Sequence, residues 1–242
     1  MSGWETALVA ASITAVATGL GALPFLVVKT VTTRTVAYAK AVAAGLMMGA
    51  SFGLVAEGAA AGAAQTVSGG VAGVVFMLLT QRWLAHREVA FGGITGASAR
   101  QMIAMVVVMT VHSFAEGVAV GVSFGGGATL ATAITVAIAV HNVPEGLAIS
   151  AVLRPGGQSV WRCALWSIFS SVPQPLMAVP AFVFVERVRP ALPYGLGFAA
   201  GAMLAMVLVE LLPEAFEDAR RATVAVAASL SLVAMVAFQG ML

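Results

Sequence analysis

Long apolar stretches, separated by short polar or Gly/Pro-rich turns, constrain the fold of this 242-residue chain more than any other feature. Charged residues make up 9% of the sequence, against about 25% in soluble globular domains. A helix needs roughly 20 mainly apolar residues to cross a bilayer. The pattern predicts an all-α polytopic membrane protein, with residues 1–242 forming a single transmembrane domain of eight helices. The predicted spans are about 5–28, 36–61, 66–84, 101–124, 129–152, 159–185, 191–214 and 222–242.

The basic residues predict the orientation of these spans. Ten of the twelve Lys and Arg fall on one side of the predicted membrane and two on the other. Since cytoplasmic loops are enriched in Lys and Arg, both termini are expected outside the cytoplasm. The chain has no long basic run, which argues against a nucleic-acid partner. The ten residues are Lys29, Arg34, Lys40, Arg82, Arg87, Arg100, Arg154, Arg162, Arg220 and Arg221, and the two are Arg187 and Arg189.

Two related strings stand inside adjacent apolar spans. HSFAEG covers His112–Gly117 and HNVPEG covers His141–Gly146. Each places a Glu four residues after a His, so both side chains lie on one helix face, one turn apart. Ionisable residues at bilayer depth are costly and usually functional. Imidazole and carboxylate groups together suit Zn²⁺ or Fe²⁺. His112, Glu116, His141 and Glu145 are therefore predicted to form one divalent-metal site.

Glycine, proline and weak internal similarity predict how the spans pack. Gly45, Gly49 and Gly53 recur every four residues on the second span, and Gly117, Gly121 and Gly125 on the fourth. Such spacing lets helices approach closely in a membrane. Pro144 is expected to kink the fifth span beside the metal site. The second and seventh spans share an Ala/Gly/Met pattern and run in opposite directions, as inverted repeats of transporters do.

Three acidic residues are predicted at the ends of the ion path. Glu57 lies near the outer end of the second span, whereas Glu210 and Glu214 lie near the inner end of the seventh. Acidic groups at such positions attract cations and pass them on. The alternative interpretation is that these residues are simply solvated helix ends.

The two His/Glu strings, their place on the fourth and fifth of eight spans, and the external termini resemble the ZIP (Zrt/Irt-like, zinc–iron permease) family. The strings AGLMMGASF at 44–52, GAML at 201–204 and ELLPEA at 210–215 are similar to its bacterial GufA-like branch. The resemblance implies a 3+2+3 arrangement of helices with inverted repeats. It also implies transport of a divalent metal towards the cytoplasm, a bacterial inner-membrane location, and a homodimer.

Position by position, the resemblance also implies further ligands. Asn142 joins the fifth-span set, and Met47 matches a second-span methionine at the metal site, with Met48 as the alternative if the register is shifted by one. Relatives with two metal ions often carry Glu-Pro on the sixth span and Asn after the fourth-span His. This chain has Gln174-Pro175 and Ser113 there. A second metal position formed by Ser113 and Gln174 is therefore expected to be weak or absent.

The leading functional prediction is transport of Zn²⁺, with Fe²⁺, Mn²⁺ and Cd²⁺ as other substrates, by a non-enzyme that has no prosthetic cofactor. One alternative is an intramembrane metal-dependent hydrolase. H-E-x-x-H does not occur in the sequence, which disfavours that class. The other alternative is a proton-coupled carrier of an organic substrate. Such a carrier would need a substrate-binding cation near the midplane, whereas the Lys and Arg residues lie at or near span ends.

Overall fold

The computed structural model describes residues 3–28, 32–85 and 97–241, and every regular element in these ranges is helical. Lys29 and Arg87, which were counted in the orientation prediction, lie outside the described residues. The main helices are α1 (Gly3–Leu20), α2 (Thr33–Ala85), α3 (Ala97–Ser123), α4 (Ala128–Leu153), α5 (Val160–Ser170), α6 (Pro173–Arg187), α7 (Leu192–Met206), α8 (Leu212–Asp218) and α9 (Arg221–Gln239).

Six helical segments in the described ranges are long and apolar enough to cross a membrane. Their windows carry few charged residues, and their outer surfaces expose large apolar side chains such as Val67, Trp161 and Leu230. The chain is therefore a polytopic membrane protein, as the composition predicts. The segments are Gly3–Leu26, Thr33–Trp83, Ala128–Leu153, Val160–Arg187, Arg189–Asp218 and Arg221–Gln239.

The longest segment, α2, reverses direction at Gly62. The backbone there is non-helical, with φ 173° and ψ 98°. A Cβ built on Gly58 would lie 2.8 Å from the hydroxyl of Thr66. Eight residues of continuous helix would instead separate two such positions by roughly 12 Å, at 1.5 Å per residue. The two arms of α2 therefore form a hairpin.

Glycines bring the arms of α2 close to other helices. On the first arm, a Cβ on Gly49 would lie 2.6 Å from the Cβ of Met235 in α9. On the second arm, a Cβ on Gly73 would collide with the carbonyl of Phe198 in α7. Close backbone approach of this kind is what small-residue spacing provides in membrane helices. The prediction that the glycine repeat of the first arm is a packing face is confirmed.

A second glycine repeat packs α3 against α6. A Cβ on Gly117 would lie 2.5 Å from the backbone carbonyl oxygen of Gln174, and one on Gly121 would lie 2.8 Å from the Cβ of Ala181. Gly146 of α4 likewise packs directly on the backbone of Thr18 in α1. These contacts place α6 against α3 and α1 against α4, the two helices that carry the His/Glu strings.

Prolines and a π-helical turn mark three further places in these helices. The helix breaks between α5 and α6, where Pro173 begins the new helix. Pro144 lies within α4, one residue before Glu145. A π-helical turn at Val207–Leu211 joins α7 to α8. Such turns are frequent at functional sites, and this one contains Glu210.

Candidate metal centre

The two His/Glu strings face each other across α3 and α4. His112 and Glu116 lie one turn apart on α3, with 3.4 Å between His112 Nε2 and Glu116 Oε1. His141 of α4 donates from Nε2 to the same Glu116 oxygen over 2.6 Å. All three side chains are completely buried. The i, i+4 spacing has thus produced one shared cluster from two separate helices, as the sequence predicts.

The second oxygen of Glu116 is held by α6. Gln174 donates from Nε2 to Glu116 Oε2 over 2.6 Å. The side-chain oxygen of Gln174, Oε1, accepts hydrogen bonds from Thr14 Oγ1 at 2.5 Å and from Asn142 Nδ2 at 3.2 Å. Because both donors hold the carbonyl end of the amide, its nitrogen must face Glu116. The side chain of Gln174 therefore fixes the Glu116 carboxylate rather than offering its own carbonyl oxygen there.

Thr14 also fixes Asn142. The amide nitrogen of Asn142 donates to the backbone carbonyl of Thr14 over 2.8 Å. This leaves Asn142 Oδ1 pointing away from α1, buried and without a hydrogen-bond partner among the described residues. A buried amide oxygen without a donor is costly unless a ligand satisfies it. Asn142 therefore presents an oxygen with the character of a metal ligand.

Glu145, the second carboxylate of the cluster, contrasts with Glu116. It is completely buried, and in the described part of the chain neither of its oxygens has a hydrogen-bond partner. Both ring nitrogens of His112 and Nδ1 of His141 are likewise without one. Unsatisfied buried polar atoms are rare in folded proteins, and each calls for an explanation. His112 and Glu145 belong, with Glu116, to one group of residues whose ligand atoms lie close together.

The cluster fits a divalent cation in geometry and charge. His112, Glu116 and Glu145 each offer one ligand atom, and these atoms lie within 4.8 Å of one another. Zinc bonds to nitrogen and oxygen are about 2.0–2.2 Å long, so small side-chain rotations bring all three into reach of one ion. Two buried carboxylates repel each other strongly at low dielectric. A divalent cation between them cancels both negative charges.

The remaining predicted ligands differ in their surroundings. Met47 of α2 is completely buried, whereas Met48 is only partly buried and packs against the apolar core. Ser113 is completely buried, and its hydroxyl has no hydrogen-bond partner within the described ranges. Burial alone does not assign a ligand role to Met47, because methionine commonly fills gaps in apolar cores.

The three acidic residues predicted at the path ends have unlike environments. Glu57 is exposed. Glu210 accepts a hydrogen bond from Gln81 over 2.8 Å, and Glu214 forms an ion pair with Lys40 over 2.5 Å. Glu210 and Glu214 are therefore partly buried and held by α2, which the interpretation as solvated helix ends does not predict.

Two residues of these networks are absent from the sequence-based site. Thr14 is not part of a recognisable motif. The one sequence feature that marks it is Thr18, a second polar residue one turn later in an apolar helix. Lys40 enters the sequence-based predictions only as one of the basic residues that indicate the orientation of the spans. The completely buried Thr14 orders Gln174 and Asn142, and the buried Lys40 neutralises Glu214.

Comparisons with known proteins agree with the geometry. Residues 90–240 match the family model of the ZIP zinc transporters. The zinc transporter GufA of Myxococcus xanthus is 32% identical over 226 residues, which are 86% of this chain and 87% of that protein. A relative from Arabidopsis thaliana, named among the zinc transporters, is 45% identical over 225 residues, which are 91% of this chain and 36% of the relative.

The zinc transporter ZIP11 of Xenopus tropicalis is 35% identical over 147 residues, covering 58% of this chain and 42% of that protein. The chain thus spans less than half the length of two of these relatives and most of the length of the third.

Proposed function

Because the chain belongs to the ZIP zinc transporter family, we propose that it carries divalent transition-metal ions, Zn²⁺ foremost, across a membrane. The observation that supports this most is the cluster of His112, Glu116 and Glu145, whose ligand atoms lie within 4.8 Å of one another at completely buried positions. The metal is the transported substrate and not a resident cofactor, and the protein is not an enzyme. Fe²⁺, Mn²⁺ and Cd²⁺ belong to the same substrate class, since similar ligands bind all of them.

The proposed ligands are His112 and Glu116 from α3, His141, Asn142 and Glu145 from α4, and Met47 from α2. In the absence of metal, His141 Nε2 donates its hydrogen to Glu116. A metal ion replaces that hydrogen, because imidazole binds metal only through a deprotonated nitrogen. Binding of the ion therefore releases a proton or moves it to the other ring nitrogen of His141, which has no partner within the described residues.

A single ion per chain is supported by the hydrogen bonds of Glu116. A second ion would need Glu116 Oε2, but Gln174 Nε2 occupies that oxygen at 2.6 Å. The carbonyl oxygen of Gln174 already accepts two hydrogen bonds. Ser113 offers only a neutral hydroxyl and Gln174 a neutral amide that is already hydrogen-bonded, so neither offsets the two positive charges of a second ion.

For the whole chain we propose eight spans in the 3+2+3 arrangement with inverted repeats. The hairpin at Gly62 divides α2 into two spans, and α5 with α6 forms one broken span. The packing of α1 on α4 and of α6 on α3 supports the arrangement, since two inverted units would make equivalent contacts with the central pair. We also propose that the chain lies in a bacterial inner membrane with both termini outside the cytoplasm, and that it forms a homodimer.

The acidic residues complete the proposed path. Exposed Glu57 attracts cations at the outer end, and Glu210 and Glu214 receive them at the inner end, beyond the central site. Negative side chains at the mouths of a cation path raise the local ion concentration. The names of the relatives favour neither the hydrolase nor the organic-substrate carrier.

Uptake of radioactive Zn²⁺ into proteoliposomes tests the proposal. Wild-type protein is expected to raise the initial rate above that of protein-free vesicles, and Glu145→Gln is expected to remove the increase. Glu186→Gln, which makes the same change at an exposed position of α6, serves as the matched control and should transport normally. Wild-type vesicles that take up no more Zn²⁺ than protein-free vesicles would contradict the proposed function.

A further inference from the structure

A buried ammonium group lies at the inner end of this proposed cation path. Lys40 is 2% exposed, and its Nζ lies 2.5 Å from Glu214 Oε2. A lysine in a membrane helix usually extends its ammonium to the interface. Lys40 instead forms an ion pair with a single carboxylate of α8. The proposed substrate is also a cation, so Lys40 and the substrate can bind the same carboxylate. Membrane orientation alone does not require such a contact, because an exposed Lys would serve equally well.

Small side chains bring Lys40 and Glu214 together. Ala37 and Ala41 of α2 pack with Ala215 and Val224 in a separate apolar cluster, in which all four are completely buried. These alanines allow the start of α2 to lie directly against α8. The packing therefore fixes the two helices on which the pair stands, with Lys40 buried and the Glu214 side chain 43% exposed.

Glu210 is the residue of this region whose charge interacts both with the ion pair and with the metal centre. Glu210, one turn before Glu214 and within the π-helical turn, lies within electrostatic range of Glu214, Lys40 and His112. It is also held by Gln81 from the second arm of α2. On the proposed path, Glu210 and Glu214 are the carboxylates at this end of the bundle, and Lys40 contacts the second of them.

We propose that Lys40 is a tethered cation that controls the departure of the metal ion at this end of the path. Its charge neutralises Glu214 while no metal is there, competes with a metal ion for that carboxylate, and repels the ion once the pair re-forms. Acidic residues alone would hold a divalent ion and slow turnover. The inference rests on the proposed transport function and adds to it a residue that sets the rate of release.

Removing either charge is expected to shift zinc retention in opposite directions. Lys40→Met leaves Glu214 free to hold the ion, so dissociation of Zn²⁺ should slow by about tenfold. Glu214→Gln leaves Lys40 unopposed, so dissociation should become faster than in the wild type. Combining both changes removes both charges and should bring dissociation back towards the wild-type rate, whereas Lys40→Arg keeps the charge and should change it little.

The measurement is the loss of radioactive Zn²⁺ from purified, zinc-loaded protein after addition of a chelator, alongside uptake into proteoliposomes. The matched control is Arg34→Met, which removes a charge from the exposed start of the same helix and should behave like the wild type. If Lys40→Met does not fold, Lys40→Gln makes the same test, since Gln still hydrogen-bonds to Glu214 without a charge.

A purely structural role for the pair predicts the same sign for both single variants, so shifts of equal sign, or wild-type dissociation in both, would overturn the proposal. A rate in Arg34→Met that follows Lys40→Met would also overturn it, because general surface charge would then be the cause. These results are distinct from failure of the transport proposal, in which the wild-type protein itself neither binds nor carries Zn²⁺.

Discussion

The two His/Glu strings have the same spacing but present their carboxylates in different states. Glu116 receives hydrogen bonds from His141 and Gln174 and lies next to His112. Glu145, from the equivalent position on α4, has both oxygens without partners among the described residues. A repeated motif therefore yields one carboxylate held in place by three helices and one left free. We infer that Glu116 organises the site and that Glu145 gains its main partner when the ion arrives.

The largest expected effect comes from removing the free carboxylate. Glu145→Ala should reduce Zn²⁺ uptake to the level of protein-free vesicles, because the ion loses a charged ligand. The melting temperature should not fall, since the variant removes a buried charge that makes no hydrogen bond. His141→Ala should also abolish uptake while the protein stays folded in detergent. Near wild-type uptake by either variant would show that α4 does not supply these ligands.

Glu116→Ala sharpens the comparison through stability. It should abolish uptake as Glu145→Ala does, but it also leaves the donors of His141 and Gln174 buried without acceptors. Each such group costs about 1–3 kcal/mol. The variant should therefore unfold at a lower temperature than Glu145→Ala in the same detergent. Equal melting temperatures would mean that the two carboxylates play equivalent roles.

Changing Gln174 tests whether its hydrogen bond to Glu116 Oε2 is needed for zinc binding and transport. Gln174→Ala removes the donor to Glu116 Oε2 and should lower zinc affinity or transport by about 10- to 100-fold, as loss of groups that orient metal ligands does. Gln174→Glu adds a carboxylate beside Glu116 and should raise zinc content from one ion per chain towards two, by elemental analysis. Two ions in the wild-type protein would contradict the single-site account.

Uptake should fall as the pH is lowered from about 7.5 to about 5. Metal ions bind only the deprotonated form of imidazole and the ionised form of carboxylates. Protons therefore compete with the metal ion for His112 and His141, and a lower pH favours the protons over the metal. The check is the initial rate across this range at fixed membrane potential. A flat profile would argue against both histidines as ligands.

The smallest effect concerns the predicted sulfur ligand. Met47→Leu nearly conserves volume and should cost less than about 1.5 kcal/mol of stability, but it should weaken zinc binding a few-fold if the thioether contacts the ion. Met48→Leu, the adjacent and partly buried position, is the matched control. The zinc dissociation constants of the two variants distinguish ligand from packing. Equal constants would remove Met47 from the ligand set.

The sequence predicts which residues of one helix lie together in the site, but it does not predict the hydrogen bonds that join different helices there. The i, i+4 spacing of His112 and Glu116 is a local property of a helix, so a single chain segment determines it. The contact of Gln174 with Glu116 depends on the close packing of α6 against Gly117, and Thr14 reaches Gln174 only because α1 packs on α4 at Gly146.

The pairing of Lys40 with Glu214 was beyond sequence reasoning for the same reason. The two residues are 174 positions apart, and each had a separate local explanation, one as an orientation signal and the other as a mouth residue. Their contact follows from alanine-lined packing between α2 and α8. Interactions within one helix could be predicted from spacing, whereas those between distant helices required the packed bundle.

The most direct test of the account is to locate the ion itself. Anomalous diffraction at the zinc edge, on crystals of the zinc-loaded protein, should give one strong peak between α3 and α4. The peak should lie about 2.0–2.2 Å from nitrogen or oxygen ligands contributed by His112, Glu116, His141 and Glu145. A peak elsewhere in the bundle, two equal peaks at this position, or none would contradict the account.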